Sequence, residues 1–514
     1  MAPPTKRPEV LEEKAREMLA RIELPKSTGL AAQGFIDDNS LLRWMKNRDR
    51  TRARWSRLET GEAPALLYWY RELHPRDTAT RFGSIGRISR TDPPFEQAGM
   101  SSVLLDGAGK LRSISVIPPR ADTLAAAAEP EWAPWFGLAG LDTARFHPVE
   151  PERNPSFYVD GRRAWRGTLA SSPADSYLVE GATYRGRLAR FAVITPWDPG
   201  DRFNDAVSAG QRTAQSVVSF LIIMTVLVGG FLITRRNLRL ERADRLGAGR
   251  VALAVGGSLM LTWLFTASHT GDLASEIGVF WNGMAIACLN GLLAWLIYIG
   301  VEPYVRRAKP HLLIGWTRFL AGGFRDPIVG RDVLIGAVAG VTLHVLQGIG
   351  WLVPTWLGQP PETPLSIDPD TLLGFGTMLG AILASLTNVV TTPLVVLIIY
   401  VIGRMVFRKE WAALGLVALL FGGAALTGQT STVRLVIGLI YTAVLLLVVF
   451  RWGFLAAGSA ILVEGLVSNY PFAMNPSTWY FPTTLAVLSL VALLGYWAWR
   501  AARSRLMLAR PTTR

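Results

Sequence analysis

Glu464 is the one acidic side chain deep within an uncharged run of the sequence. A carboxylate in hydrocarbon is costly, so its presence marks either a function or a specific hydrogen-bonding partner. It could relay a proton or line a solute path, or it could close a hydrogen bond inside a helix bundle. Asn469 follows it, and His344 with Gln347 one turn later supplies the other polar side chains in apolar surroundings. A single histidine on a helix is more often a satisfied packing residue than a ligand. An intramembrane metalloprotease needs a glutamate and paired histidines at helical spacing, and no His-Glu-x-x-His or equivalent set occurs. The only cysteine, Cys288, lies in an apolar run, so neither a disulfide framework nor a cysteine metal site can form.

Two other motifs carry no chemistry. His74-Pro75-Arg76-Asp77 has the residue types of a kinase catalytic loop, but Pro75 interrupts the motif and the downstream metal-binding asparagine is missing. No glycine-rich loop follows a strand and no Asp-Phe-Gly occurs. Gly374, Gly376 and Gly380 have the wrong spacing for a phosphate loop and lie in an apolar stretch, where small residues serve helix contact. No catalytic residue, metal ligand or cofactor is expected of this chain.

The segment 302–332 is more distinctive. It reads Glu302-Pro303-Tyr304-Val305-Arg306-Arg307, then Trp316-Thr317-Arg318-Phe319-Leu320, then Arg325-Asp326-Pro327-Ile328-Val329-Gly330-Arg331-Asp332. At helical spacing Leu312, Leu313, Trp316, Phe319 and Leu320 share a face, while Arg306, Arg307, Lys309 and Arg318 could meet anionic headgroups. One reading is a surface helix pinned to the membrane; the other is a docking element that couples the bundle to a cytoplasmic partner.

The elements that must hold these residues follow from hydropathy. Half of the 514 residues are hydrophobic, and from Ala214 onward they gather into uncharged runs of about twenty, the length that crosses a hydrocarbon core. Nine spans are expected, at 214–234, 251–268, 277–301, 333–353, 378–403, 411–427, 435–450, 452–470 and 481–499. The uncharged stretch 371–403 is long enough that its beginning should lie in the interface or re-enter, with a kink at Pro393.

Charge orients this array. If the first span runs inward, the cytoplasmic segments 235–250, 302–332, 404–410, Arg451 and 500–514 hold 21 basic residues, and the opposite loops hold one, Arg434. Such asymmetry fits a cytoplasmic side for the arginine-rich loops. Residues 1–213 would then be extracytoplasmic and the C-terminus cytoplasmic, in a bacterial inner membrane. The net charge of +14 arises mainly in the membrane half, which is the footprint of orientation rather than of nucleic-acid binding. Met1 to Ile22 contains no signal peptide, so either the N-terminal region crosses unaided or an upstream span is expected to export it.

The soluble region shows the pattern of an internal repeat. A helix with Val10, Leu11, Ala15, Met18, Leu19 and Ile22 opens the first copy, which ends in a hairpin turning at Gly107-Ala108-Gly109; the second begins at Pro130-Glu131-Trp132 and ends in a hairpin turning at Arg185-Gly186. The expected units are 1–120 and 130–213, both α+β, joined by an Ala-rich linker at 121–129. The helical membrane bundle occupies 214–514.

The 302–332 segment, Arg235-Arg236-Asn237-Leu238-Arg239-Leu240, and Arg451-Trp452-Gly453 through Ser477-Thr478-Trp479-Tyr480 resemble the C-terminal membrane module of certain bacterial serine/threonine protein kinases. In that family a cytoplasmic kinase domain precedes one span, an external region and the remaining spans. The resemblance runs from Pro8 to about Ala502 and excludes the kinase domain, so it carries over no catalytic residue. It implies a non-catalytic sensor or signal-transduction module with an unknown external ligand, a lipid bilayer around it and a cytoplasmic kinase domain or other signalling partner. Its missing upstream span would export residues 1–213. The competing expectation is a transporter or channel-like bundle with Glu464, Asn469 and His344 along a polar path.

Overall fold

The strands of the N-terminal region are built from aromatic, β-branched and other apolar residues, as in Leu66–Leu73, where seven of eight side chains are buried. The structure, a computed structural model, describes residues 4–59, 63–78, 85–121, 124–170, 172–198, 209–359, 368–427 and 432–508. Within the N-terminal region lie β1 (Leu30–Asp37), β2 (Leu66–Leu73), β3 (Ser101–Asp106), β4 (Leu111–Val116), β5 (Phe146–Val149), β6 (Gly161–Leu169), β7 (Ser172–Tyr184) and β8 (Arg187–Ile194). They form one antiparallel sheet in the order β1-β2-β3-β4-β8-β7-β6-β5. Each half is a meander preceded by a helix, α1 (Pro8–Ala20) in the first and α4 (Ala133–Ala139) in the second; α2 (Asn39–Arg48) and α3 (Ser56–Glu59) are inserted between β1 and β2.

The halves join where β4 pairs with β8. The expected division into 1–120 and 130–213 therefore falls within one continuous sheet rather than between two separately closed units. Both expected hairpins are present, β3–β4 and β7–β8. On α1, Leu11, Ala15, Met18 and Leu19 are buried as the periodicity requires, whereas Val10 is exposed. Of the linker, residues 122 and 123 lie outside the described residues; Ala127 donates its N–H to the Arg185 carbonyl at 2.9 Å.

Two further pieces of chain belong, among the described residues, to this sheet unit: Thr266–Gly283 and residues 368–377. They attach through specific bonds. β1 is an edge strand, whose outward N–H groups need partners, and the Phe35 N–H donates to Asp370 Oδ1 at 2.9 Å. Arg87 pairs with Asp370 Oδ2 at 2.8 Å. The Ile88 N–H donates to Ser268 Oγ at 3.0 Å, and the Ser268 N–H to the Gly86 carbonyl at 3.1 Å. In the interior of the sheet unit, fully buried Arg71 donates to the carbonyls of Ser89 and Arg90 at 2.9 and 3.2 Å, tying the 85–95 segment to β2. Burial pushes the pKa of its guanidinium down to about 10.

The second unit is helical: α5 (Ala209–Met224), α6 (Gly230–Arg239), α7 (Arg245–Thr266), α8 (Leu273–Ala308), α9 (His311–Leu320), α10 (Pro327–Trp356), α11 (Phe375–Phe407), α12 (Glu410–Thr427), α13 (Thr432–Trp452), α14 (Phe454–Ser468) and α15 (Phe481–Leu508). The first turns of α8 and α11 belong to the sheet unit. Seven helices among the described residues are long and apolar enough to cross a bilayer. The expected spans at 411–427 and 452–470 coincide with shorter apolar helices, Glu410–Phe421 and Phe454–Ser468. With 15 residues α14 is only about 22 Å long. The stretch after 371 is a short 3₁₀ turn, Pro369–Leu372, followed by the uninterrupted α11 with Pro393 inside it.

Packing in the bundle rests on small residues. A Cβ on Gly336 would lie 2.3 Å from the Ala456 carbonyl oxygen, and one on Gly340 would lie 2.5 Å from that of Ala460, so α10 and α14 touch backbone to backbone. Gly330 is equally close to the backbone of α15 at Ala502. Between α6 and α8, Thr234 and Asn237 donate to the carbonyls of Leu296, Ile299 and Gly300.

Burial holds the Asp370 carboxyl above the usual carboxylate range. A carboxyl raised in the folded state contributes stability that is present below its unfolded pKa and is lost as pH rises through the folded value. The thermal midpoint of the wild type, measured relative to Asp370→Asn, is therefore expected to decline from about pH 4 towards neutrality. Asp370→Ala should speed amide exchange at Phe35 at least tenfold, because that N–H loses its acceptor; unchanged exchange would show that the turn does not cap the edge strand.

Candidate functional site

A cleft of about 600 Å³ opens in the sheet unit where the two meanders meet. Four pieces of chain form it: Glu96, Ile117–Arg120 leaving β4, the Ser156–Asp160 loop before β6, and Tyr184–Arg185 at the β7–β8 turn. The turn is held by strained but supported backbone. Arg185 has φ +52° and Gly186 φ +77°, a pair of left-handed residues typical of a two-residue hairpin. The Asp160 carboxylate accepts the Arg185 N–H at 2.6 Å, and the Asp160 N–H donates to the Thr183 carbonyl at 3.0 Å. A Cβ at Gly186 would meet the Ala127 carbonyl oxygen at 2.0 Å, so only glycine fits.

The walls combine aromatic faces with opposite charges. Tyr158 packs edge-on to Tyr184 at 6.2 Å, and Phe157 edge-on to Phe95 at 6.3 Å. Phe95 and Phe157 rest on the core cluster of Leu30, Trp69, Leu73 and Met100, which fixes that wall. Tyr158 is 75% exposed and offers its ring to solvent at the mouth. Arg120, Arg185, Glu96 and Asp160 border the opening. Rigid aromatic surface with a few charged groups suits a small amphipathic ligand. None of these residues stands out in the sequence by itself; the Phe157-Tyr158 pair just ahead of Asp160-Gly161 is the available signal.

In the bundle, the sequence-predicted polar residues do come together. Gln347 Nε2 donates to Glu464 Oε1 at 2.8 Å, the Ser468 hydroxyl donates to the same oxygen at 3.0 Å, and His344 Nδ1 lies 3.0 Å from Ser468 Oγ. The network bridges α10 and α14 just beyond their glycine contact. Asn469 is not a member of it: this residue caps α14 through its N–H to Gly465 and is exposed.

The 302–332 segment divides into helix ends rather than a loop. Glu302, buried on α8, pairs with Arg306 at 3.1 Å. Arg318 pairs with Asp326 at 2.7 Å while Asp326 Oδ1 caps α10 by accepting the Ile328 N–H at 2.8 Å. Arg331 pairs with buried Asp332 at 2.9 Å. Arg307 and Arg325 are exposed. The apolar face of α9 is turned into protein: Leu312, Leu313 and Trp316 are buried, and the Trp316 ring lies 4.5 Å from that of Phe454 on α14. Phe319 and Leu320 are only partly covered.

A sheet unit and a bundle with seven candidate spans define a multi-pass helical membrane protein. No family profile, curated protein or solved structure matches the chain.

The hydrogen bonds of Glu464 are the contacts a bundle clamp would use. Glu464→Ala should leave Gln347 and Ser468 without their acceptor and lower stability by about 1–3 kcal/mol, while Glu464→Gln, which keeps an acceptor oxygen, should cost less than half of that. Thermal unfolding of the purified protein in nanodiscs tests this, and equal effects of the two changes would contradict a hydrogen-bonding role.

Proposed function

We propose that the chain is a non-catalytic sensor and signal-transduction module of a bacterial inner membrane, in which the sheet unit takes a small amphipathic ligand and the bundle relays its binding to the arginine-rich helix ends at 302–332. The observation that carries this reading is the aromatic and charged cleft at the β4–β8 junction. In this reading α12 and α14 count with the seven longer helices as nine spans, and the two helix-plus-meander halves are copies of one unit. The shared membership of 266–283 and 368–377 with the N-terminal region in one unit supports a common side for them. Those segments border the loops that the charge asymmetry assigns to the outside. The cytoplasmic partner would be a kinase domain or another signalling protein, in keeping with the family resemblance.

The relay would run along α10. Its start carries the Asp326 cap and, in the second turn, the Arg331–Asp332 pair, and its later turns carry His344 and Gln347. A transporter reading draws on the same polar network, since His344, Gln347, Ser468 and Glu464 form a connected chain within the bundle.

The test is a thermal-shift screen of small amphipathic ions against the full chain in nanodiscs, followed by hydrogen exchange. A hit is expected to protect residues 156–160 and 184–185, to weaken at least tenfold with Tyr158→Ala, and to change exchange in 311–331. Protection confined to the bundle would sink the sensor reading. Proteoliposomes whose solute or proton flux is absent, or unchanged by Glu464→Gln, would remove the transporter.

A further inference from the structure

A recess of about 400 Å³ opens in the bundle among His311 at the start of α9, Arg331 and Ile335 on α10, and Arg451 and Trp452 at the end of α13. Its charge is unbalanced. Arg331 donates Nε and Nη2 to a single oxygen, Asp332 Oδ1, at 3.1 and 2.9 Å, and its side chain stays 60% exposed. Arg451 is exposed and has no acidic partner among the described residues. His311 Nε2 lies 3.5 Å from the Phe450 carbonyl oxygen, which holds the imidazole at the rim. Ile335 and Trp452 complete the wall with apolar surface.

The backbone keeps this recess open. Gly453, with φ +97°, turns the chain directly from α13 into α14, and a Cβ there would lie 2.5 Å from the Leu312 carbonyl oxygen. The turn therefore fixes Arg451 and Trp452 against the first turn of α9. Both guanidinium groups line the one recess, and N–H donors not taken by Asp332 suit the oxygens of a phosphate. A tryptophan at a helix end and an isoleucine beside it suit the glycerol and acyl portions of a lipid.

We propose that this recess binds a phosphate anion, carried by the headgroup of an acidic phospholipid and held by Arg331 and Arg451. The site uses none of the cleft residues, although it shares Arg331 with the relay end of α10, and lipid retention is read without any cleft ligand. Basic recesses between membrane helices recognise acidic headgroups by this chemistry.

Native mass spectrometry of the delipidated full chain, titrated with phosphatidylglycerol and with phosphatidylcholine, tests the proposal. Selective, saturable retention of phosphatidylglycerol is expected, weakened about thirtyfold in R331Q/R451Q and largely kept in R331K/R451K. Displacement by millimolar inorganic phosphate would mean that the site accepts phosphate from either source; resistance to it would assign the site to the lipid. Equal retention of the two lipids, or undiminished retention in folded R331Q/R451Q, would overturn the proposal. Should that double variant fail to fold, Ile335→Trp fills the recess without removing charge, and unchanged phosphatidylglycerol binding in it would overturn the proposal equally.

Discussion

The contact between α10 and α14 organises the helical unit, because two backbones meet there with no room for a single added methyl group. In hydrocarbon there is no hydrophobic force between helices, so close van der Waals approach and interhelical hydrogen bonds must supply the association energy. Gly336 and Gly340 provide the approach, and the Gln347–Glu464 bond adds the polar contribution a turn or two further along. α15 packs on α10 at Gly330, while α9 packs on α14 through Trp316 and Phe454. The arginine pairs at the start of α10 inherit their positions from the same helix.

The sheet unit depends on a different constraint, the pairing of β4 with β8. That pairing turns two meanders into one sheet and places the exit of β4 beside the β7–β8 turn. Only because of this juxtaposition do Pro118, Pro119 and Arg120 come near Tyr184 and Arg185. The outer edges are finished separately: β5 contains Pro148, which lacks a ladder donor, and β1 is capped by the Asp370 carboxylate. Burial of Arg71 adds rigidity behind the cleft, since its guanidinium also lies 5.8 Å from the Phe95 ring.

What is legible in the sequence has short range. Helical periodicity identifies Leu11, Ala15, Met18 and Leu19, glycine-bearing turns identify the β3–β4 and β7–β8 hairpins, and hydropathy identifies the long apolar helices. His344 and Glu464 stand out as isolated polar side chains, and they prove to share a network through Gln347 and Ser468. The cleft is invisible because its walls come from residues 96, 117–120, 156–160 and 184–185, which only the β4–β8 pairing unites. Hydropathy also cannot separate apolar character that serves lipid from apolar character that serves the protein interior. Ala456, Ala457, Ala460 and Val463 of α14 are all covered by the bundle, so packing accounts for much of the composition of that 15-residue helix, which is shorter than the usual hydrocarbon thickness.

The polar network also bears on which motions the bundle permits. An open transport path needs polar groups that face water or exchange partners, whereas here two donors converge on one Glu464 oxygen and Ser468 links that oxygen to His344. Two donors on one oxygen lower the cost of keeping the carboxyl in an apolar setting, and the bonds from Gln347 and His344 resist separation of α10 from α14. The start of α10 is held as well, because Gly330 packs against the α15 backbone at Ala502 as closely as Gly336 packs against α14. Motion of the charges at Asp326, Arg331 and Asp332 relative to α15 therefore has to disturb the Gly330 contact.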